Sequence, residues 1–502
     1  MKRILFLILL NLLSISSYAS ASAGKNEGLL KTVNDIFGTI VGVYAPVLFW
    51  PVPFLKLPII LCVMVLGGVF FTFRYGFINL RMFTHAIHVI RGKFDNPDDE
   101  GEISHFQALT SALSATVGLG NIAGVAVAIQ VGGPGAVFWL WVVAFFGMSM
   151  KFSSCTFAQL YRNVNKDGSV LGGPMVYLRD GLKEKFNLLG LGKFIGGFYA
   201  VMTIMASFGG GNLFQGNQSF ELLKGQFPAM ADHPWLVGIV LAIFAGIVLI
   251  GGIKRIGEVT SKLVPLMCAF YCLTCLVIIF SNFGKVPGLF LEIFKQAFSP
   301  DAVFTGGFIG VLIQGVKRAS FSNESGLGSA AIAHAAAKTN EPVREGIVAM
   351  VGPFIDTHLV CTMSALAILI TGAHLDPSVA GKGAQITANA FGTLGSFMPY
   401  LLTIATIIFA YSTIISWSYY GEKGTEYLFG QKSIIGYRII YCLIIVLGPV
   451  LSLGHVIDFA DLMLLSMAFP NIIGMIFLSG KVKELADDYI ARFKSGQMKE
   501  YK

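Results

Sequence analysis

The sequence predicts an all-α polytopic membrane protein with about eleven transmembrane helices, and three observations predict it. The first is composition: of 502 residues, 55% are hydrophobic and 13% charged, with a mean hydropathy of +0.71. Soluble domains carry about a quarter charged residues, so a soluble globular fold is excluded. The second is that the long apolar runs are continuous, which selects helices over a β-barrel, whose strands alternate over about ten residues. The third is a pair of Gly-Leu-Gly cores, Gly118-Leu119-Gly120-Asn121 and Gly326-Leu327-Gly328-Ser329, each inside an apolar segment. Glycine inside a helix costs about 1 kcal/mol relative to alanine. Glycines at matching places in two halves therefore predict two helices unwound at mid-membrane depth, with amides and carbonyls freed for ligands; close packing through small residues is the competing use.

In chain order, residues 1–23 read as a signal peptide, because Lys2 and Arg3 precede the apolar run Ile4 to Leu13 and the small residues Ser20 to Ala23. A retained extra span is the alternative. Residues 24–57 form an external segment in which Leu29 to Trp50 mixes Lys31, Asn34 and Asp35 with apolar positions, the pattern of an interfacial amphipathic helix. The expected spans are Pro58 to Phe73, Phe106 to Gln130, Gly135 to Leu160, Phe194 to Phe220, Trp235 to Gly252 and Lys262 to Phe280. Ala302 to Ala337, Gly346 to Gly372, Phe397 to Tyr420, Ile434 to Leu453 and Ile457 to Leu478 follow.

Cations sort these spans into a topology. If the span from Pro58 runs inward, one face collects Arg74, Arg81, Arg91, Lys93, Arg162, Lys166, Arg179, Lys254, Arg255, Lys338, Lys423, Arg438 and the basic tail. The opposite loops hold little beyond Lys224, Lys285, Lys295 and Lys382. Positive residues favour the cytoplasmic side, so the start is external and the C-terminus cytoplasmic. The net charge of +8 thus reports topology and lipid contact, with no basic-aromatic module for nucleic acid. Cys268, Cys272 and Cys275 share a helix face, but no histidine or carboxylate joins them as a soft-metal site, and helix packing is their simpler role.

No loop is long enough to fold alone. After an extra helix and loop at 58–105, residues 106–281 and 302–479 each hold five helices, and 480–502 is a tail. An odd number of helices per repeat inverts the second copy. The result is a five-plus-five inverted-repeat transporter fold, with discontinuous first and sixth core helices and one preceding helix.

The residues around the two cores carry a resemblance. Ala115-Thr116-Val117-Gly118-Leu119-Gly120-Asn121-Ile122-Ala123-Gly124-Val125 and Phe321-Ser322-Asn323-Glu324-Ser325-Gly326-Leu327-Gly328-Ser329 resemble the alanine/glycine:cation symporter family. So do Ile332 to Thr339, Phe354-Ile355-Asp356-Thr357, Gly132-Gly133-Pro134-Gly135, Gly251 to Ile256 and Trp417 to Glu422. The resemblance covers nearly everything from Pro58 to the tail and implies sodium- or proton-coupled uptake of alanine or glycine, in the plasma (inner) membrane of a bacterium, with no cofactor. An amino-acid zwitterion suits a broken helix, which offers amides at the start of its second half and carbonyls at the end of its first.

On that basis Gly118, Gly120, Asn121, Gly326 and Gly328 are expected to form the substrate's backbone cradle, with Thr116, Ser322 and Asn323 adding side-chain contacts. Asn212 and Gln215, after Gly209-Gly210-Gly211, form a polar wall, and Trp417 caps a pocket small enough for alanine. Ser412 and Thr413, with carbonyls near Val117, bind the sodium ion. Each hydroxyl has a plainer use on its own helix's carbonyls, and Trp417 has one as an interface aromatic. Charge inside a membrane costs about 2.5–3.5 kcal/mol on insertion scales. Glu324 therefore either balances the cation or substrate ammonium, or pairs with Arg318 or Lys317; Asp356 serves gating or the ion path. His334 and His358 either carry protons or pack, and Lys151 snorkels or pairs internally.

Two positions depart from the family pattern. Leu119 stands where threonine is usual, and Lys317 where a small residue is usual, which loosens the inference of alanine or glycine. The alternatives are a proton-coupled carrier of another small amino acid and an ion or solute channel. An intramembrane enzyme would need a convergent nucleophile and base or a metal motif such as His-Glu-x-x-His, which the sequence lacks. Oligomeric state is not encoded in any motif.

Overall fold

The computed structural model describes residue 35 and residues 38–53, 57–298, 308–451 and 453–501. The expected signal peptide and most of the segment up to residue 37 lie outside the described residues, as do positions 301–307 at the expected start of the seventh span. What is described of the external segment includes a short apolar helix, Gly38–Leu48.

The chain then builds helices α1 (Ile59–Arg74), α2 (Phe83–Ile90), α3 (His105–Thr116), α4 (Val125–Gly132) and α5 (Gly135–Leu160). A two-stranded antiparallel hairpin, β1 (Asn163–Val164) with β2 (Val170–Leu171), leads to α6 (Pro174–Phe186), α7 (Leu189–Phe208) and α8 (Phe214–Gln226). Next come α9 (Pro234–Leu249), α10 (Gly252–Ser281), α11 (Val286–Ala297), α12 (Phe308–Asn323), α13 (Ala330–His334), α14 (Pro342–Ala349) and α15 (Thr362–Thr371). The chain closes with α16 (Gly383–Gly392), α17 (Met398–Phe429), α18 (Ile434–Leu447) and α19 (Leu453–Lys494).

Among the described residues, seven helical stretches are long and apolar enough to cross a membrane, and α3 with α4, bent by 50°, makes an eighth. The apolar helices α1 and α9 have 16 residues each, about 24 Å. α5 and α19 lie inside the bundle, with 67% and 72% of their most apolar windows buried. α7–α8 and α10 are peripheral, at 33% and 39%.

Local chemistry explains several boundaries. α3 starts at a capping box: Ser104 Oγ accepts the Gln107 amide, and Gln107 Oε1 accepts the Ser104 amide. α19 continues past the expected end near Leu478 to Lys494, because its charged last turns pair Lys483 with Asp487 and Arg492 with Asp488 and Tyr489 bonds His85. α10 begins at Gly252, well before the expected Lys262, so the polar residues between them form its first turns. Among the described residues, π-helical turns interrupt three helical stretches, at Gly120–Gly124, Gly209–Leu213 and Phe354–Cys361. Such turns cost regular hydrogen bonding and gather at functional sites. All three converge on one region.

Candidate functional site

The first of these turns follows directly on the end of α3. Val117 leaves the helix in an extended conformation, and Gly118 follows. Asn121 holds the turn, its Oδ1 accepting the Gly118 amide at 2.9 Å while its own amide donates to the Gly118 carbonyl at 3.2 Å. Thr116 returns its hydroxyl to the Ala112 and Leu113 carbonyls. Only glycine fits at 118, because a Cβ there would lie 2.6 Å from Thr413 Oγ1.

The second break, between α12 and α13, is fully unwound. Glu324, Gly326 and Gly328 have φ of +54°, +84° and +82°, a region that penalises a side chain by about 1–2 kcal/mol. The helical segment expected from Ala302 to Ala337 is thus interrupted between Asn323 and Ala330, around the second Gly-Leu-Gly core. Its freed carbonyls are taken by other helices: Lys151 Nζ donates to Asn323 O at 3.1 Å, Asn471 Nδ2 to Gly326 O at 2.8 Å and Tyr199 OH to Leu327 O at 2.8 Å. Lys151 is therefore an internal donor. Gly326 packs on Met150 and Ile472, and Gly328 on Pro174 and Asn471.

Asp356, on the π-helical turn after α14, joins the breaks. It accepts from Asn121 Nδ2, Ser322 Oγ and Thr357 Oγ1, each at 2.7 Å, and Asn323 Nδ2 donates to Thr357 Oγ1 at 3.0 Å. All five residues are buried. One carboxylate thus draws on both broken segments at once.

Beside this junction lies a cavity of about 10 Å³, lined by Ala115, Thr116, Gly118, Leu119, Gly120, Gly210, Gln215, Phe321, Glu324, Thr413, Trp417 and Leu464. A space of that size holds about one water. Gln215 donates to the Gly210 carbonyl at 2.9 Å, and its Oε1 is buried without a partner. Glu324 accepts from Ser329 Oγ at 2.5 Å. Trp417 is buried, not an interface aromatic, and its Nε1 donates to Ala115 O at 3.3 Å. Thr413 Oγ1 donates to the Ser114 carbonyl at 3.0 Å, and Ser114 Oγ to the Ser412 carbonyl at 2.6 Å, so α3 and α17 cross through an oxygen-rich seam.

The predicted residues therefore separate into groups. Thr116, Gly118, Gly120, Gln215, Glu324, Thr413 and Trp417 line the cavity. Asn121, Ser322, Asn323 and Asp356 form the junction behind it, and Val117 and Ser412 are buried at the α3–α17 seam. Asn212 faces away, donating to Tyr441 O at 3.0 Å, and Gly326 and Gly328 pack against α5, α6 and α19. The expected pairing of Glu324 with Arg318 or Lys317 does not form. Lys317 and Arg318 instead reach Asp461 Oδ2, at 2.7 and 3.3 Å. α12 ends at Asn323, and Glu324 beyond it has a left-handed backbone, so its side chain no longer follows the helix face that carries Lys317 and Arg318 to Asp461.

Phe321, Leu464, Ala115 and Gly210 were not singled out from sequence, and the first two are apolar side chains in apolar runs with nothing local to mark them. Asn471 and Asp461 did carry a signal, as polar residues deep in an apolar helix.

The bundle, with two interrupted helices meeting around a buried polar cavity, is that of a helical membrane transporter, and comparison with solved structures agrees on the fold. The crystal structure of MhsT in complex with L-phenylalanine aligns with a TM-score of 0.56 at 17% identity, over 76% of this chain and 89% of that one. A profile of the sodium:alanine symporter family matches residues 47–502. The sodium/alanine symporter AgcS of Methanococcus maripaludis is 45% identical over 423 residues, covering 84% of this chain and 92% of its own length. A Bacillus subtilis protein named as a probable sodium/glutamine symporter, GlnT, is 34% identical over 431 residues, 86% of this chain and 87% of its own. The chain belongs to the sodium:alanine symporter family, and is a membrane-embedded, cation-coupled amino-acid symporter and not an enzyme.

Proposed function

We propose that this protein takes up a small neutral amino acid, alanine or glycine, together with sodium, by alternating access. The observation that carries the proposal is the cavity of about 10 Å³ to which both interrupted helices contribute, because its tight apolar walls, Leu119, Phe321, Trp417 and Leu464, leave room to expand only around a small side chain. The substrate carboxylate would meet amides of the Gly118–Gly120 segment, at the start of the π-helical turn Gly120–Gly124 that leads into α4, and its ammonium would meet Glu324 and freed carbonyls. Gln215, with one unpartnered oxygen, would add a directional contact. Sodium would sit in the α3–α17 seam on Thr413, Ser412 and the Val117 carbonyl, and Asp356 would tie both helices so that they move together.

In this reading about eleven spans form a five-plus-five inverted repeat after one preceding helix, the basic end faces the cytoplasm, the N-terminus lies outside after signal cleavage, and the membrane is the bacterial plasma membrane. A second reading, proton-coupled uptake of a different small amino acid, is favoured by Glu324 in the cavity wall and by Leu119.

The test is radiolabelled alanine uptake into proteoliposomes under an inward sodium gradient, an inward proton gradient, or neither. Accumulation driven by sodium alone, reduced about tenfold or more in Gln215→Leu, is the expected result. Accumulation driven by protons alone replaces sodium with the second reading. A wild type that moves no alanine under either gradient removes alanine as the substrate.

A further inference from the structure

Away from the cavity, at the basic end of the bundle, a second buried cluster ties the interrupted helices together. Glu345, on α14, receives His105 at the start of α3 through its Oε2, and His334 at the end of α13 through its Oε1 at 2.5 Å. The side-chain exposures of His105, Glu345 and His334 are 1%, 0% and 0%. In both histidines Nδ1 faces the carboxylate, which fixes the proton on that nitrogen and leaves both Nε2 atoms buried without hydrogen-bond partners. The two Nε2 atoms differ in surroundings. That of His105 lies 3.9 Å from Asp95 Oδ1, itself an unpartnered buried oxygen on a side chain 37% exposed, whereas among the described residues no carboxylate faces His334 Nε2 within ion-pair distance.

The backbone around the cluster is closed. Ile103 and Ala337 pair as a parallel bridge, and Arg162 donates to the carbonyls of Ala335, Ala337, Glu100 and Thr339. Among the described residues, the titratable groups near the cluster include Cys155 and Arg162 on or just beyond α5, Asp99, Glu100 and Glu102 in the loop before α3, Lys338 after α13 and Arg344 on α14. Arg162 is engaged with carbonyls and Arg344 with Asp99 and the Phe94 carbonyl. Glu345 between two neutral imidazoles would be a buried anion, which is costly, and one added proton makes the trio neutral.

We propose that His105, Glu345 and His334 form a clasp on the two interrupted helices at the basic end, closed by one exchangeable proton held at His105 between Glu345 and Asp95. The proton leaves from His105 Nε2 to water by way of Asp95, while the Nδ1–H stays on Glu345. The trio then carries one net negative charge, and opening to water relieves it. This proton is distinct from the coupling ion. The inference rests on the reading above only in taking the interrupted helices as the parts that move.

The test is hydrogen–deuterium exchange on the purified full chain from pH 5.5 to 8.5, corrected for intrinsic exchange and read at the segment 330–340. Wild-type protection is expected to fall about tenfold across that range. His105→Asn, whose amide nitrogen can stand where Nδ1 stands, is expected to flatten the profile, and His334→Asn to keep its slope. Asp95→Asn, a half-exposed site, removes a carboxylate that favours the imidazolium, so the fall should move to lower pH by about one unit. A wild-type profile without pH dependence, or an Asp95→Asn profile that coincides with the wild type, overturns the proposal. Because the readout needs no substrate, its failure is separate from a failure of alanine uptake, which would overturn only the transport reading.

Discussion

The two interruptions share a glycine pattern but differ in what occupies their freed backbone. The first, at 117–124, is nearly helical, with its amide capped from within by Asn121, and Ala115 to Gly120 contribute five residues to the cavity wall. The second, at 324–329, is fully unwound; two of its carbonyls are held by Asn471 and Tyr199, and that of Asn323 just before it by Lys151, from three other helices. It shows the cavity only Glu324 and, from the preceding turn, Phe321. A backbone whose polar groups are already paired gains little from a ligand, whereas one that is lightly capped can exchange partners. In the reading proposed above, the first break therefore serves recognition and the second mechanical support.

The largest effect that would test this division lies on the second break. Asn471→Ala removes the donor to Gly326 O and also strands the hydroxyl of Tyr177, which donates to Asn471 Oδ1. Two buried polar groups left unpaired cost about 1–3 kcal/mol each, so stability should fall by about 2–6 kcal/mol, measured as thermal unfolding of the purified protein. Uptake should fall with the folded fraction. If Asn471→Ala unfolds at the wild-type midpoint, the clamped character of the second break is wrong.

How much of this was legible in the sequence follows the same line. Gly118, Gly120, Gly326 and Gly328 are local signals, and they located both interruptions because the backbone conformation of a residue is largely its own affair. Which interruption faces a ligand is not local. It depends on whether side chains some hundred residues away, Tyr199, Lys151 and Asn471, reach the freed carbonyls, and nothing near residue 326 encodes that. The triple glycine at 209–211 sits on the π-helical turn Gly209–Leu213, while the π-helical turn at Phe354–Cys361 carries no glycine to mark it. Asp356 stood out as an intramembrane charge, yet its partners Asn121 and Ser322 looked from sequence like substrate contacts. Leu464 could not stand out at all among leucines.

On the first break, Gly118→Ala should separate transport from stability. The added Cβ would stand 2.6 Å from Thr413 Oγ1, where ordinary contact begins at 3.4 Å, and threonine is stiff at χ1 and here bonded to Ser114 O, so α3 and α17 must part locally by the greater part of an ångström. Displacing the seam should lower uptake about 100-fold, with a thermal midpoint much closer to the wild type than that of Asn471→Ala. Equal losses in both assays would place the first break among the mechanical supports. Leu119→Thr is the mildest probe. Leu119 lines the cavity and packs with Leu213, Phe214 and Ala410, so a threonine there gives up apolar contact and offers a hydroxyl beside the proposed substrate. A polar contact offered to a substrate hydroxyl changes discrimination more than it changes rate. The expected result is alanine uptake within about threefold of wild type and a shift of about tenfold in competition by serine relative to alanine. A Leu119→Thr protein with an unchanged competition profile would mean that position 119 shapes the wall only by volume, and that selectivity resides instead on Trp417, Phe321 and Leu464.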